Sequence, residues 1–271
     1  MAQKQIPMAK ASDISPWMAA LLVLFYLALL AALVLLPGSS LLDRLRWLDS
    51  GICAQMPTHS FYPGGEELPL CARNTGIYLG FIVTLLTLYA TGRGRAQRLP
   101  PWPILVVLVS GVGILALDGF NSFFLDLGLP HLYQPHNLIR LATGLITGLA
   151  LATLSLPAMN RLFWLTYDEQ RSISSWTTLF SYTPALILCF FAVISQSVLV
   201  LYPIALLSTA GVLTTISSIN LIIIVAISKR DESFERYRDL LPFFSLALLF
   251  AIGEMLTLAQ LKFLLLRVFG I

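Results

Sequence analysis

Of the chain's 271 residues, 57% are hydrophobic and 11% charged, the net charge is +3, and the mean hydropathy is +0.82. A water-soluble domain carries roughly 25% charged residues, so this composition belongs to a protein built for lipid. Three cysteines allow at most one intrachain disulfide. With no basic stripe or long charge run, nucleic-acid binding has no support.

A polar lead with Lys4 and Lys10 precedes Trp17–Leu36, twenty residues without a charge. At 1.5 Å per residue that stretch covers the ~30 Å hydrocarbon layer. It is too long for a signal-peptide core and lacks a small-residue exit, so it is expected to be a first membrane helix. Residues 39–50 predict a short amphipathic helix in the membrane interface. Ser40 and Asp43 have capping-box spacing, and Leu41, Leu42, Leu45 and Leu48 lie opposite Asp43, Arg44 and Arg46.

A Pro/Gly-punctuated loop leads to a second span at about Asn74–Thr91. The third begins near Ile104 and must pass Asp118 to reach full length. The fourth is expected at about Asn137–Leu156, the fifth at Trp176–Leu201, the sixth at Pro203–Ile227 and the seventh at Leu240–Leu265. Seven crossings put the termini on opposite sides. With the N-terminus inside, the inner segments hold 11 basic residues, Lys4, Lys10, Arg93, Arg95, Arg98, Arg161, Arg171, Lys229, Arg230, Arg236 and Arg238. The outer ones hold 6, Arg44, Arg46, Arg73, Arg140, Lys262 and Arg267. The positive-inside bias therefore favours N-in/C-out. The expected fold is all-α and polytopic. Residues 1–156 would form a four-helix half with an external cysteine loop at 37–72, and residues 157–271 a three-helix half.

Thr75-Gly76-Ile77-Tyr78-Leu79-Gly80 opens the second span, and Thr143-Gly144-Leu145-Ile146-Thr147-Gly148 lies early in the fourth. Each is T-G-x-x-x-G with an arginine just upstream, Arg73 or Arg140. One reading is a parallel two-helix repeat in the first four spans. The favoured reading is a pair of small-residue contacts that let helix backbones approach closely, including each other's.

Cys53 and Gln55, Ser60 and Phe61, then Pro69, Cys71, Ala72, Arg73, Thr75, Gly76, Tyr78 and Gly80 together form a pattern. Asp118-Gly119 and Asn137, Arg140, Thr143 and Gly144 continue it. Over about Leu48–Leu156 the chain thereby resembles an uncharacterised family of bacterial and archaeal multi-pass membrane proteins, a domain of unknown function. That family's pattern runs C-H-Q, R-S-F, P-x-C-A-R-C-T-G-x-Y-x-G, D-G and N-x-x-R-x-x-T-G. Here Ala54 replaces the family histidine and Asn74 its second C-x-x-C cysteine. The resemblance implies a prokaryotic cytoplasmic (inner) membrane location and no particular activity. A Cys/His metal or thiol site open to a typical member has lost half its ligands here.

Cys53 and Cys71 lie 18 residues apart in one outer loop. A disulfide is the simplest reading, with two free thiols as the alternative. Zinc would need two further good ligands, and only His59 is near, so no metal or other cofactor is expected. Cys189 reads as a packing residue, and His131 and His136 as loop groups.

Asp118 and Glu254 each fall fourteen residues from the inner end of their spans, about 21 Å up. Arg73 and Arg140 enter from the outer ends of theirs, so four balanced charges are expected at one depth. Lone charges there are costly, by at least ~2.5–3.5 kcal/mol, so they should pair or line a wet pocket. One outcome is a structural double ion pair. The other is an outward-facing pocket for an anionic small molecule or lipid headgroup, bound or translocated. In it Arg73 and Arg140 are anion ligands, Asp118 and Glu254 balance charge or carry protons, and Asn137 and Thr75 orient. The partners would be membrane lipids, an anionic solute or headgroup, and other membrane subunits. A non-catalytic subunit or scaffold of a membrane complex is the alternative. No metalloprotease, hydrolase, Walker or dinucleotide motif is present, and the reading favours a non-enzyme.

Overall fold

In the computed structural model the described residues are 16–269. Lys4 and Lys10, counted above for orientation, lie outside them. Eight α-helices follow in order: α1 Pro16–Leu35, α2 Leu41–Asp49, α3 Ala72–Ala90, α4 Trp102–Asp126, α5 Asn137–Phe163, α6 Trp176–Ile194, α7 Val198–Ile227 and α8 Tyr237–Phe269. Two single 3-10 turns punctuate the loop after α2, and no strand occurs among the described residues. The chain is an all-helical, polytopic membrane protein.

Six of these helices, α1 and α4 to α8, are long and apolar enough to cross a membrane. The expected second span, α3, reaches 19 residues but opens with Arg73 and Asn74 and falls short in hydropathy. Its position explains the polar content. α3 lies at the centre of the bundle, flanked by α5 and α7, so little of it needs to suit lipid. Thr75, Gly76, Leu79, Gly80 and Thr84 are all buried.

The two glycine motifs meet. A Cβ placed on Gly80 would lie 2.6 Å from the Leu145 carbonyl oxygen, and one on Gly148 would collide with the Ile77 carbonyl and the Phe81 amide. α3 and α5 thus run parallel in backbone contact, the close approach that small residues permit. On the other side of α3, Gly211 of α7 presses against the Tyr78 backbone. α4 joins the outer flank of α5, and α8 packs along α7. α1 stays mostly exposed and is tied to α8 where the Tyr26 and Ser245 hydroxyls lie 2.9 Å apart.

The helix predicted at 39–50 forms with its capping box. Ser40 Oγ accepts from the Asp43 amide, and the Asp43 carboxylate accepts from the Ser40 amide. Its apolar face is covered by α7 and α8, with Trp47 stacked on Phe263. The break expected just before Pro203 falls earlier, at Ser195–Ser197. Gln196 there takes φ 48, and Ser197 caps α7 through the Leu199 amide, so Pro203 sits inside the helix.

Candidate functional site

The loop between α2 and α3 is held down before any site is formed. Arg46 pairs with Glu67 at 2.6 Å, and the Gln55 side-chain amide donates to the Arg46 and Pro69 carbonyls, both at 2.7 Å. The Gly64 amide donates to the Gln196 carbonyl, pinning the loop onto the α6–α7 turn. Asn137 donates to the Thr58 and Ser60 carbonyls. The loop therefore lies over the end of the bundle where α3 and α5 begin.

Beneath it, Arg73 reaches across to α4. Its Nη2 lies 2.6 Å from Asp118 Oδ2, and it also donates to the Asp118 carbonyl and to Ser122 Oγ. Asp118 is 1% exposed. Its other oxygen accepts from the Tyr133 hydroxyl at 2.6 Å. Asn121 delivers that tyrosine, accepting from the Leu132 amide and donating to the Tyr133 carbonyl. The phenol is pushed up to about 12, by burial first and then by its bond to Asp118.

Arg140 sits beside this pair, and among the described residues no carboxylate pairs with it. Nη1 donates to Asn137 Oδ1 at 2.7 Å, and Nη2 to Ser122 Oγ at 3.4 Å and His59 Nε2 at 3.1 Å. The residue is only 4% exposed, and its buried Nε has no partner among the described residues. His59 Nε2 also lies 3.3 Å from Asp126 Oδ1. One imidazole nitrogen cannot accept from Arg140 and donate to Asp126 at once, so His59 is shared between two competing neighbours. Burial, and then the Arg140 charge, hold the imidazole below its usual range, so it is neutral at pH 7.

Three of the four expected charges, Arg73, Arg140 and Asp118, therefore meet at one end of the bundle, and Asn137 orients Arg140. Glu254 does not join them. It is exposed on α8, where Asn220 of α7 donates to its carboxylate at 3.3 Å. Residue counting sets a side chain's depth along a helix but not the direction it faces, and α8 packs on α7 and α2. The buried Thr75 hydroxyl donates to the Leu70 carbonyl at the start of α3. Two cavities, one beside Cys53 and one lined by Phe81, Leu85 and Trp164, lie away from this cluster. Tyr133, Ser122 and Asp126 were not anticipated. A signal existed: Asp118, Ser122 and Asp126 recur every fourth residue and share one face of α4.

The expected disulfide is absent, and Cys53 and Cys71 are free thiols. They are nonetheless adjacent, with the Cys71 amide donating to Cys53 Sγ at 3.3 Å. The hydrogen bond from the Cys71 thiol brings the Cys53 thiol down to about 6 against the opposing effect of burial, and the same bond pushes Cys71 up. Cys53 lines a cavity of about 460 Å³ with Ser50–Ala54 and Lys262, whose ammonium donates to the Cys53 and Ala54 carbonyls. Nearby, Asp49 is fully buried, with one oxygen accepting from Thr209 and the other unpartnered.

The fold and these buried ion pairs define a polytopic membrane protein with a polar cluster at one end of its helices. Residues 53–154 match the family described as "Predicted membrane protein (DUF2085)". Over 107 residues the chain is 30% identical to an uncharacterized protein of Methanocaldococcus jannaschii, a stretch that covers 39% of this chain. The match spans 62% of that relative's length. No solved structure matches. The family segment contains Arg73, Asp118, Arg140 and both loop cysteines, and Glu254 falls outside it.

Proposed function

We propose that this protein binds, or passes across the membrane, a molecule carrying a phosphate or carboxylate, either a small anion or a lipid headgroup, at Arg140 and Arg73. Arg140 carries the reading: a buried guanidinium held by neutral groups, with an Nε that donates to nothing. Arg forks readily onto such oxygens, and the parallel α3 and α5 both start here, adding the positive ends of two helix dipoles, of which that of α3 has no side-chain cap. Asp118 neutralises Arg73 and keeps it in place, while Asn137 and His59 set the Arg140 plane. Entry requires the loop above to lift, since it lies over the end of the bundle where α3 and α5 begin.

In this reading α3 crosses the membrane with the six more apolar helices, seven crossings in all. The N-terminus is inside and the site faces outward. The resemblance and the archaeal relative support the cytoplasmic membrane of a prokaryote. The test is the thermal midpoint of the full-length protein in detergent, titrated with inorganic phosphate and, separately, with phosphatidylglycerol or phosphatidylcholine. A rise with phosphate or phosphatidylglycerol that Arg140→Gln abolishes supports the reading. Equal responses to both lipids, and none to phosphate, would overturn it.

A second reading is a non-catalytic subunit of a membrane complex. The exposed Glu254 in mid-α8 favours it, since a carboxylate there is best covered by another protein. Co-purification of a partner that Glu254→Leu releases would support this alternative.

A further inference from the structure

At the end of the bundle opposite the arginine cluster, α8 leans along α7 and leaves a wedge beside the C-terminal halves of α3 and α5. The wedge holds a cavity of about 300 Å³, walled by Phe81, Leu85, Leu156, Leu221, Leu241 and Phe244. Three of the polar groups on its lining are occupied elsewhere. Ser218 donates to the Thr214 carbonyl and Thr214 to the Ala210 carbonyl. Asn160 donates to the Gly94 and Ala96 carbonyls and accepts from Trp164 Nε1. At ~30 Å³ per molecule the space would hold roughly ten waters, each needing two to four polar partners, far more than Ser155 and the two rim tyrosines can supply. A chamber of this kind takes hydrocarbon.

Its rim has a different character. Tyr89 and Tyr237 are 45% and 44% exposed, so the chamber opens between α3 and α8. Over that opening Arg95 places its guanidinium 4.1 Å from the Trp164 ring centroid and 4.9 Å from that of Tyr237. One of its nitrogens donates to the Glu235 carbonyl at 2.8 Å, and among the described residues no carboxylate pairs with it. The neighbouring Arg93 and Arg161 likewise donate to backbone carbonyls. A cation without a counter-ion thus stands at the mouth of an apolar chamber, and it complements one ligand shape: an anionic head on a hydrocarbon tail.

We propose that the wedge binds one acyl chain of an anionic amphiphile, with the head at Arg95 and the tail between α3, α5, α7 and α8. A free fatty acid and an anionic phospholipid share this chemistry. Trp164, 3% exposed and lining the chamber, reports on its occupancy. The full chain, with Trp17, Trp47, Trp102 and Trp176 replaced by Phe, is placed in phosphatidylcholine vesicles. One tenth of the lipid carries a dibrominated chain, as phosphatidylglycerol, as phosphatidylcholine or as free fatty acid, and bromine quenches tryptophan on contact. At least twofold stronger quenching by brominated phosphatidylglycerol or fatty acid than by brominated phosphatidylcholine is expected, and the stronger of the two anionic arms identifies the source. Arg95→Gln should erase that preference, and Ser218→Phe, which fills the chamber, should weaken quenching by every lipid. If Ser218→Phe does not fold, the Arg95→Gln comparison decides alone. Equal quenching by anionic and zwitterionic lipid, or a preference that survives Arg95→Gln, would overturn the proposal.

Discussion

Gly76 and Gly144 face each other so closely that a Cβ on either would lie 3.0 or 2.9 Å from the other's Cα. The same Cβ on Gly144 would come 2.5 Å from the Arg73 carbonyl oxygen. Backbone, rather than a pliable side chain, would have to yield. Gly144→Ala should therefore separate α3 from α5 and lower stability by about 1–3 kcal/mol, the usual cost of overpacking. Gly113→Ala, where the new methyl meets open space, should leave stability unchanged or raise it slightly. Thermal midpoints of the two variants in one detergent make the comparison.

The Arg73–Asp118 pair yields a second prediction. Asp118 is almost fully buried and accepts from both Arg73 and Tyr133. Removing it strands a guanidinium and a phenol together. Asp118→Asn should destabilise by roughly 3 kcal/mol, the scale for breaking a buried ion pair from one side. Arg73→Met should cost less, because the Tyr133 hydroxyl still donates to the carboxylate that remains. The double variant should be more stable than the sum of the two losses implies, and a double-mutant cycle on thermal unfolding measures that coupling.

How far the sequence reaches is clearest at these residues. The T-G-x-x-x-G motifs and the depths of Arg73, Arg140 and Asp118 were legible, because spacing along a helix translates directly into height and small side chains mark close backbones. The cap and apolar face of α2 were legible for the same kind of local reason. Glu254 was not, since its direction depends on how α8 rotates against α7. Nor was the centrality of α3, whose modest hydropathy makes sense only once α5 and α7 enclose it. The 18-residue spacing of Cys53 and Cys71 within one loop foretold that they meet. That spacing is equally compatible with a bridge and with the thiol hydrogen bond that the fold contains. Asp49, the last residue of an amphipathic helix, is buried because α7 covers it, a packing that the local sequence does not encode.

The thiol pair predicts selective chemistry. With Cys53 lowered to about 6 and Cys71 raised, one loop thiol should react with iodoacetamide half-maximally near pH 6 while the other stays unmodified at pH 8. The cavity beside Cys53 admits the reagent. Cys71→Ala removes the hydrogen bond that favours the thiolate, so the Cys53 profile should move up by a unit or more. Peptide mass mapping after timed alkylation across pH 5–9 reads both profiles. A bridged pair would leave both loop cysteines unmodified throughout.

Asp49 gives the remaining pH dependence, and its sign follows from which state holds the proton. Burial raises its carboxyl to about 7, against the Thr209 hydrogen bond and helped by the Cys53 charge, while the unfolded chain has the ordinary value of 3.8. Between those values the native state keeps a proton that the unfolded chain has released, so Asp49 makes stability fall as pH rises, by up to about 1.4 kcal/mol per unit. The contribution is fully present below pH 4 and gone above pH 7. His59, held below its usual range, pushes the other way in the acidic part of this window, and Cys53 does so from pH 6 upward. The wild type alone will therefore show a mixed slope. Subtracting Asp49→Asn, which keeps an acceptor for Thr209 and cannot ionise, isolates the carboxyl. The wild-type advantage in thermal midpoint should shrink steadily from pH 4.5 to pH 7, and a constant difference would mean that Asp49 is already charged in the folded protein.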